Sequence, residues 1–395
     1  MPNSLLLFGA AAAAVTWVYW RSHRKRPSFP TIARSKLVFL GSGDSSGTPV
    51  LFCLLGLIPG RPAHGCHVCN AARLDELSKH KRRNPCLLLQ NPDRTFNALI
   101  DCGKTFRDAA ARFFPEHGVN GVSAVLLTHE HADATFGLDE LRTVQRINST
   151  SPPVPKSAEE FAKQNLTLVE QAIGRVVATD KPDLSQREFE LAKVQPHPLG
   201  ALYQGVMIYV MERTRNAVAK QFPYLFSKGV GNVPRFVSQL EFETFDFVNH
   251  FVLANFFRPG EGLEVEAVRL VHGAGYDCAG FLFGKRQRVA YLSDVSWVPE
   301  ETKQRLEDHP VEVLVLDALR PYSHDKHERP QVHFDLEDAL QFVKALKVKP
   351  TLTLLTGLGH EFDYYEVTAK LDLLDPKVFG KVQLAYDGLQ LDLDL

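Results

Sequence analysis

The segment Thr128-His129-Glu130-His131-Ala132-Asp133 concentrates the residues best suited to chemistry in this chain. In extended backbone His129, His131 and Asp133 alternate onto one side. Two imidazoles and a carboxylate make a good ligand set for zinc and similar divalent ions. Any one of the three alone reads as an ordinary surface group. The apolar run Val122–Leu127 before them has strand length, so the cluster is expected just past a strand's end, where α/β proteins gather their ligands.

Two later runs end in the same way. Val271-His272-Gly273 closes one and Ser293-Asp294-Val295-Ser296 closes another. Singly, His272 reads as a histidine packed at a strand terminus and Asp294 as a turn cap. Following H-x-H-x-D in this order, both are candidate ligands. His64-Gly65-Cys66-His67-Val68-Cys69 contains a C-x-x-C pair, which reads either as half of a zinc site or as two reduced thiols. The six cysteines are otherwise scattered through 395 residues, so no disulfide framework is expected.

After Asp317-Ala318-Leu319-Arg320 come His324, His327 and His333. Histidine suits a general acid because its ordinary pKa lies near neutrality. His324 and His327 read equally as solvated loop residues. Arg320 offers a planar donor set for a phosphate, or one half of a structural ion pair.

The elements that must position these groups follow from patterning. Lys36–Leu40 reads as a strand entering the glycine-rich turn 41–47, and Cys86–Gln90 with Ala98–Ile100 as a hairpin. Further strands are expected near Val206–Val210, Val265–Val271, Gly280–Phe283, Val289–Leu292, Val311–Leu316 and Thr351–Leu355. Helices are expected over Thr105–Phe114, Glu300–Glu307, Leu336–Leu346 and Tyr364–Leu373, with one through Lys220. Residues 148–204, where the pattern weakens, read as an insertion carrying a helix over Ala158–Val177.

With 45% hydrophobic and 23% charged residues and a net charge of −1, the chain has the composition of a packed protein rather than a disordered tail. Six of its 45 basic residues precede the first acid, Asp44, leaving 39 basic against 46 acidic residues beyond them. That mildly acidic body disfavours long RNA or DNA as substrate, since phosphate chains recruit basic faces. Ser4–Trp20 is apolar and is followed at once by the basic run Arg21–Arg26. Residues 1–36 therefore read as a membrane anchor leaving the body in the cytosol, as an organelle presequence, or as a loosely packed leader. Residues 37–395 are expected to form one domain, interrupted by the insertion 148–204.

Taken together, these motifs resemble the metallo-β-lactamase superfamily, above all the branch holding the phosphoribosyl cyclic phosphodiesterase and the tRNA 3′-processing endonuclease. The resemblance runs from Leu37 to Asp387 outside the insertion. It rests on the glycine-rich start, Ile100-Asp101-Cys102-Gly103, H-x-H-x-D, His272, Asp294 and Thr356-Gly357-Leu358-Gly359-His360. A subgroup of uncharacterised eukaryotic hydrolase-like members is similar through the whole run Thr128–Ala134. The resemblance implies a four-layer αββα sandwich, with His129, His131, His272 and Asp294 on one ion, Asp133 and Asp294 left to a second, and Asp101 orienting a ligand. The family's next histidine after H-x-H-x-D is Ala134 here, and Gly357 stands where another is found, so the second site lacks both.

Carried across, the family's structural zinc falls to His64, Cys66, Cys69 and His360, and its catalytic histidine to His333. The function implied is metal-dependent hydrolysis of a small cyclic or nucleotide phosphodiester, with Asp133 and His333 catalytic and zinc, or manganese as the alternative, at the catalytic site. An RNA-processing nuclease and a membrane-tethered binding protein with a degenerate site are the competing readings.

Overall fold

The computed structural model describes residues 33–57, 62, 65–145, 166, 169–171, 205–226, 237–322 and 331–395. The strands in chain order are β1 (Ser35–Gly41), β2 (Cys86–Gln90), β3 (Asn97–Ile100), β4 (Ala124–Leu126), β5 (Val206–Met211), β6 (Leu240–Phe245), β7 (His250–Arg258), β8 (Glu261–Val271), β9 (Asp277–Phe283), β10 (Val289–Leu292), β11 (Val313–Asp317), β12 (Leu352–Thr356), β13 (Lys381–Leu384) and β14 (Gln390–Leu393). They form two sheets ordered β14-β1-β2-β3-β4-β5-β6 and β13-β12-β11-β10-β9-β8-β7.

Near-continuous apolar runs explain the layering, because a strand covered on both faces needs no polar side. Leu37 and Phe39 of β1 enter the core between the sheets, whereas Val38 and Leu40 face the opposite way. On the other sheet Val313 and Val315 point inward and Leu314 and Leu316 outward. The outward faces are covered by helices. Phe106, Ala109, Ala110 and Phe113 from Phe106–Phe113 lie on the first sheet. Leu306, Ala339, Val343 and Val367 from three later helices lie on the second. A fully buried Leu or Phe in such a layer contributes about 1.5–3 kcal/mol. The result is the four-layer αββα sandwich.

The hairpin is present, with Leu87 opposite Ile100, and β3, β4, β5 and β6 are parallel neighbours. Strands β6, β7, β13 and β14 have no counterpart in the sequence reading. Strand β6 alternates half-buried and exposed residues, so it lacks the apolar run that marks the inner strands. The expected insertion helix at 158–177 lies almost wholly outside the described residues.

The expectation of a membrane anchor is corrected. No helix among the described residues is long and apolar enough to cross a membrane. Residues 1–32, on which that expectation rested, lie outside the described residues.

Candidate metal centre

The candidate ligands stand at the C-terminal ends of strands: His129 follows β4, His272 follows β8 and Asp294 follows β10. His129, His131 and His272 each bring a ligand atom within 4.8 Å of the other two. The same holds for His129, Asp133 and Asp294, and for His272, Asp294 and His333. Residues separated by up to 204 positions thus converge on one spot. Asp101 and Asp294 both have positive φ, 61° and 55°, a conformation that short acidic side chains reach at modest cost. Each strained carbonyl receives a buried thiol, Cys86 Sγ at 3.1 Å for Asp101 and Cys278 Sγ at 3.1 Å for Asp294.

Hydrogen bonds fix the tautomers. Asp101 accepts from the Thr128 amide at 2.9 Å and from its hydroxyl at 2.8 Å. With its proton so used, Thr128 Oγ1 can only accept at 2.8 Å from His129 Nδ1. His129 Nε2 is then an acceptor, and it is buried with no hydrogen-bond partner among the described residues. His272 Nδ1 lies 2.7 Å from the Val332 carbonyl, so it donates there and leaves its Nε2 free. A ring nitrogen secured from behind while the other faces an ion is the usual arrangement of a metal-ligating histidine. Asp101 acts through Thr128 and does not reach the cluster itself.

Charge agrees with this. Burial pushes His129 down to about 4 and also lowers His272, so both imidazoles are neutral ligands at pH 7. Burial alone would push Asp294 up, but His129, His333 and His272 together hold it below the usual carboxylate range. Asp133 is raised by burial and by Asp294. His333 Nδ1 meets Asp317 Oδ2 at 2.7 Å. Burial opposes its protonation, but Asp317 together with Asp294 and Asp133 outweighs it, and the pKa rises to about 9.

A second cluster joins Cys53, Cys66, Cys69 and His360, again within 4.8 Å. His360 Nδ1 lies 3.5 Å from Cys53 Sγ and 3.6 Å from Cys66 Sγ, and its Nε2 faces Glu361 at 3.5 Å. Three thiols and an imidazole match a closed tetrahedral zinc site. His64 lies outside the described residues, and Cys53 was not anticipated. It sits in the short helix Leu51–Leu54, far from C-x-x-C in sequence, and spacing gave no signal for it. The fully buried Arg82 donates to the Gly359 and Phe362 carbonyls at 2.8 and 2.7 Å, pinning the loop that carries His360.

Arg320 lies 3.9 Å from Glu361. His324 and His327 lie outside the described residues. Asp317 went unassigned in the sequence, although Val313–Asp317 repeats the pattern of an apolar strand ending in aspartate.

The family model of the beta-lactamase superfamily domain matches residues 97–195 and 190–356. Among solved structures, the chain is similar to a diphosphatase from the PhnP family, with a TM-score of 0.59 and 23% identity over 92% of this chain and 99% of that one. It is also similar to Zn2+-bound PqqB from Methylobacterium extorquens, with a TM-score of 0.55 and 14% identity over 91% and 100%. At these identities the likeness is one of fold. An octanoyltransferase from Porphyromonas gingivalis is 38% identical over 109 residues, which cover 28% of this chain and 18% of that protein.

Proposed function

Because the chain belongs to the beta-lactamase superfamily and is, by its fold and its clustered imidazoles and carboxylates, a metal-dependent hydrolase, we propose that it cleaves a small phosphodiester. The observation that carries this reading is the pairing of two features at one place. A neutral imidazole, His129, aims an unpartnered buried nitrogen into the ligand cluster, and a carboxylate-backed imidazole, His333, stands in contact with it across Asp294 and His272.

The residues divide the work as follows. His129, His131, His272 and Asp294 hold the ion, zinc or alternatively manganese. A divalent ion bound there supplies Lewis acidity toward a phosphoryl oxygen and lowers the pKa of water toward about 7. Asp133, raised by burial and by Asp294, accepts the proton of the attacking water. Asp317 holds Nδ1–H of His333, which presents Nε2 to the leaving oxygen and donates its proton as the P–O bond breaks. Cys53, Cys66, Cys69 and His360 hold a structural zinc that clips the 51–69 segment to the loop after β12.

Support for a phosphorus substrate comes from the fold shared with a diphosphatase. Support for a small one comes from the excess of acids beyond Asp44, which repels long phosphate chains. The test is hydrolysis of bis(p-nitrophenyl) phosphate by the full chain, with metal content measured alongside. We expect turnover that falls at least about 100-fold in His129→Ala. Unchanged turnover in that variant overturns the reading. Cleavage of a tRNA precursor without hydrolysis of the aryl diester replaces it with a nuclease.

A further inference from the structure

His131 differs from the other histidines of the site in how it is held. His129 is secured by Thr128, His272 by the Val332 carbonyl and His333 by Asp317. Among the described residues the ring of His131 has no hydrogen-bond partner, and the residue is exposed. What it has is Tyr276. The two rings stack at 5.0 Å with an interplanar angle of 17°. The same tyrosine meets His272 at 5.7 Å and His129 at 6.4 Å edge to face, so one aromatic ring touches all three imidazoles.

The sequence places it there deliberately. Tyr276 follows His272-Gly273-Ala274-Gly275, in which both glycines have positive φ, 84° and 73°. This tight turn is closed by the His272 amide donating to the Tyr276 carbonyl at 2.8 Å. A side chain at either glycine would be strained, and the turn returns Tyr276 toward the histidine it left four residues earlier.

Tyr276 is itself braced. The Arg213 guanidinium lies 4.2 Å from the ring centroid, in the range of a cation–π contact. Arg213 Nε pairs with Glu130 Oε1 at 3.3 Å, and the Thr214 hydroxyl donates to Glu130 Oε2 at 2.9 Å. Glu130 is the residue between the two histidines of H-x-H. The contacts close a ring from Glu130 through Arg213 and Tyr276 to His131, which is bonded to Glu130.

We propose that Tyr276, backed by Arg213, is the positioning residue for His131, a stacked brace standing where a hydrogen bond secures the other histidines. The proposal rests on the ligand reading above. It gives Glu130 its role, which is to anchor the brace and not to bind an ion.

The test uses Co2+ as probe on the full chain. Both kinds of site absorb in the visible, but only a thiolate site adds a near-ultraviolet charge-transfer band, so titrating Co2+ and following the two regions together separates the nitrogen- and oxygen-rich site from the thiolate one. Partners that orient a ligand are worth about 10–100-fold in metal affinity. Tyr276→Leu is therefore expected to weaken the nitrogen- and oxygen-rich site by about 10–100-fold and to change its band shape, with the thiolate band unmoved. Tyr276→Phe keeps the ring and restores both affinity and spectrum. Arg213→Gln, on the outer helix, weakens binding by about 10-fold and serves should Tyr276→Leu fail to fold. Wild-type affinity in Tyr276→Leu or Arg213→Gln, while His131→Ala is weakened, overturns the brace alone. Wild-type affinity in His131→Ala overturns the ligand reading with it.

Discussion

The Asp317 carboxylate fills the place a side chain at position 357 would need: a Cβ added to Gly357 comes 2.3 Å from Asp317 Oδ1. The backbone there has φ +70°, which L side chains rarely adopt. The histidine that the sequence resemblance implies at this position is replaced by space given to the partner of His333, and the buried Ala134 offers no ligand either. Gly357→His is therefore expected to add no metal and to lose about 2–4 kcal/mol of stability from strain and overpacking. Metal analysis with urea denaturation checks this. One extra equivalent at wild-type stability would sink the single-ion reading.

Removing His333 should separate chemistry from binding. In His333→Ala the proton for the leaving oxygen is lost while His129, His131, His272 and Asp294 remain, so kcat is expected to fall about 100- to 10,000-fold with KM little changed. Asp317→Asn keeps the imidazole but removes its anion, and a smaller loss in kcat is expected. Steady-state kinetics on an aryl phosphodiester decide it, with equal metal content as the control. A KM effect alone would place His333 in binding.

How much of this was readable beforehand depends on whether a feature is local. Strands β1, β10 and β11 announce themselves because each is buried on both faces and contains an unbroken apolar run. H-x-H-x-D is legible through its residue types and spacing, but the folded segment is not extended throughout: Asp133 lies in the short helix Ala132–Thr135, where it joins His129 and Asp294, while His131 joins His129 and His272. By contrast, β6 and β7 lie at the sheet edges with partly exposed alternating patterns, which turns and amphipathic loops share. The pairing of Asp317 with His333 depends on how the β11 end meets the chain before the helix Leu336–Ala345, and nothing in either segment encodes it. In the sequence Tyr276 is one of ten tyrosines, with nothing in its spacing to single it out. Only the folded chain shows it against three imidazoles.

Cys53 supplies the clearest test of the thiol cluster, because spacing gives no reason for it to matter. Cys53→Ala is expected to lose one equivalent of metal and, at a cost of about 2–4 kcal/mol, to lower the thermal midpoint by about 5–10 °C. Cys86→Ala, equally buried but outside the cluster, should keep its metal. Inductively coupled plasma mass spectrometry and calorimetry on the two variants make the comparison. Full metal content in Cys53→Ala would return the fourth position to another ligand.

Asp387 carries a pH dependence independent of any ion. Its carboxylate, about 5% exposed, accepts from the Ser42 amide and hydroxyl, each at 2.9 Å, and from the Arg83 amide at 2.9 Å. Burial nonetheless pushes its pKa up to about 6 against the pull of Arg83, compared with about 3.9 in an unfolded chain. Between these two values the native state binds more protons than the unfolded one, so stability falls as pH rises from about 4 to about 6 and is level above that. The contribution is up to about 3 kcal/mol, two pKa units at about 1.4 kcal/mol each. Asp387→Asn removes this term. Its urea midpoints should fall less steeply than wild type across that window, whatever slope other carboxylates such as Asp44 contribute to both. Parallel curves for the two proteins would show that Asp387 is ionised in the native state throughout the window, its donors outweighing its burial.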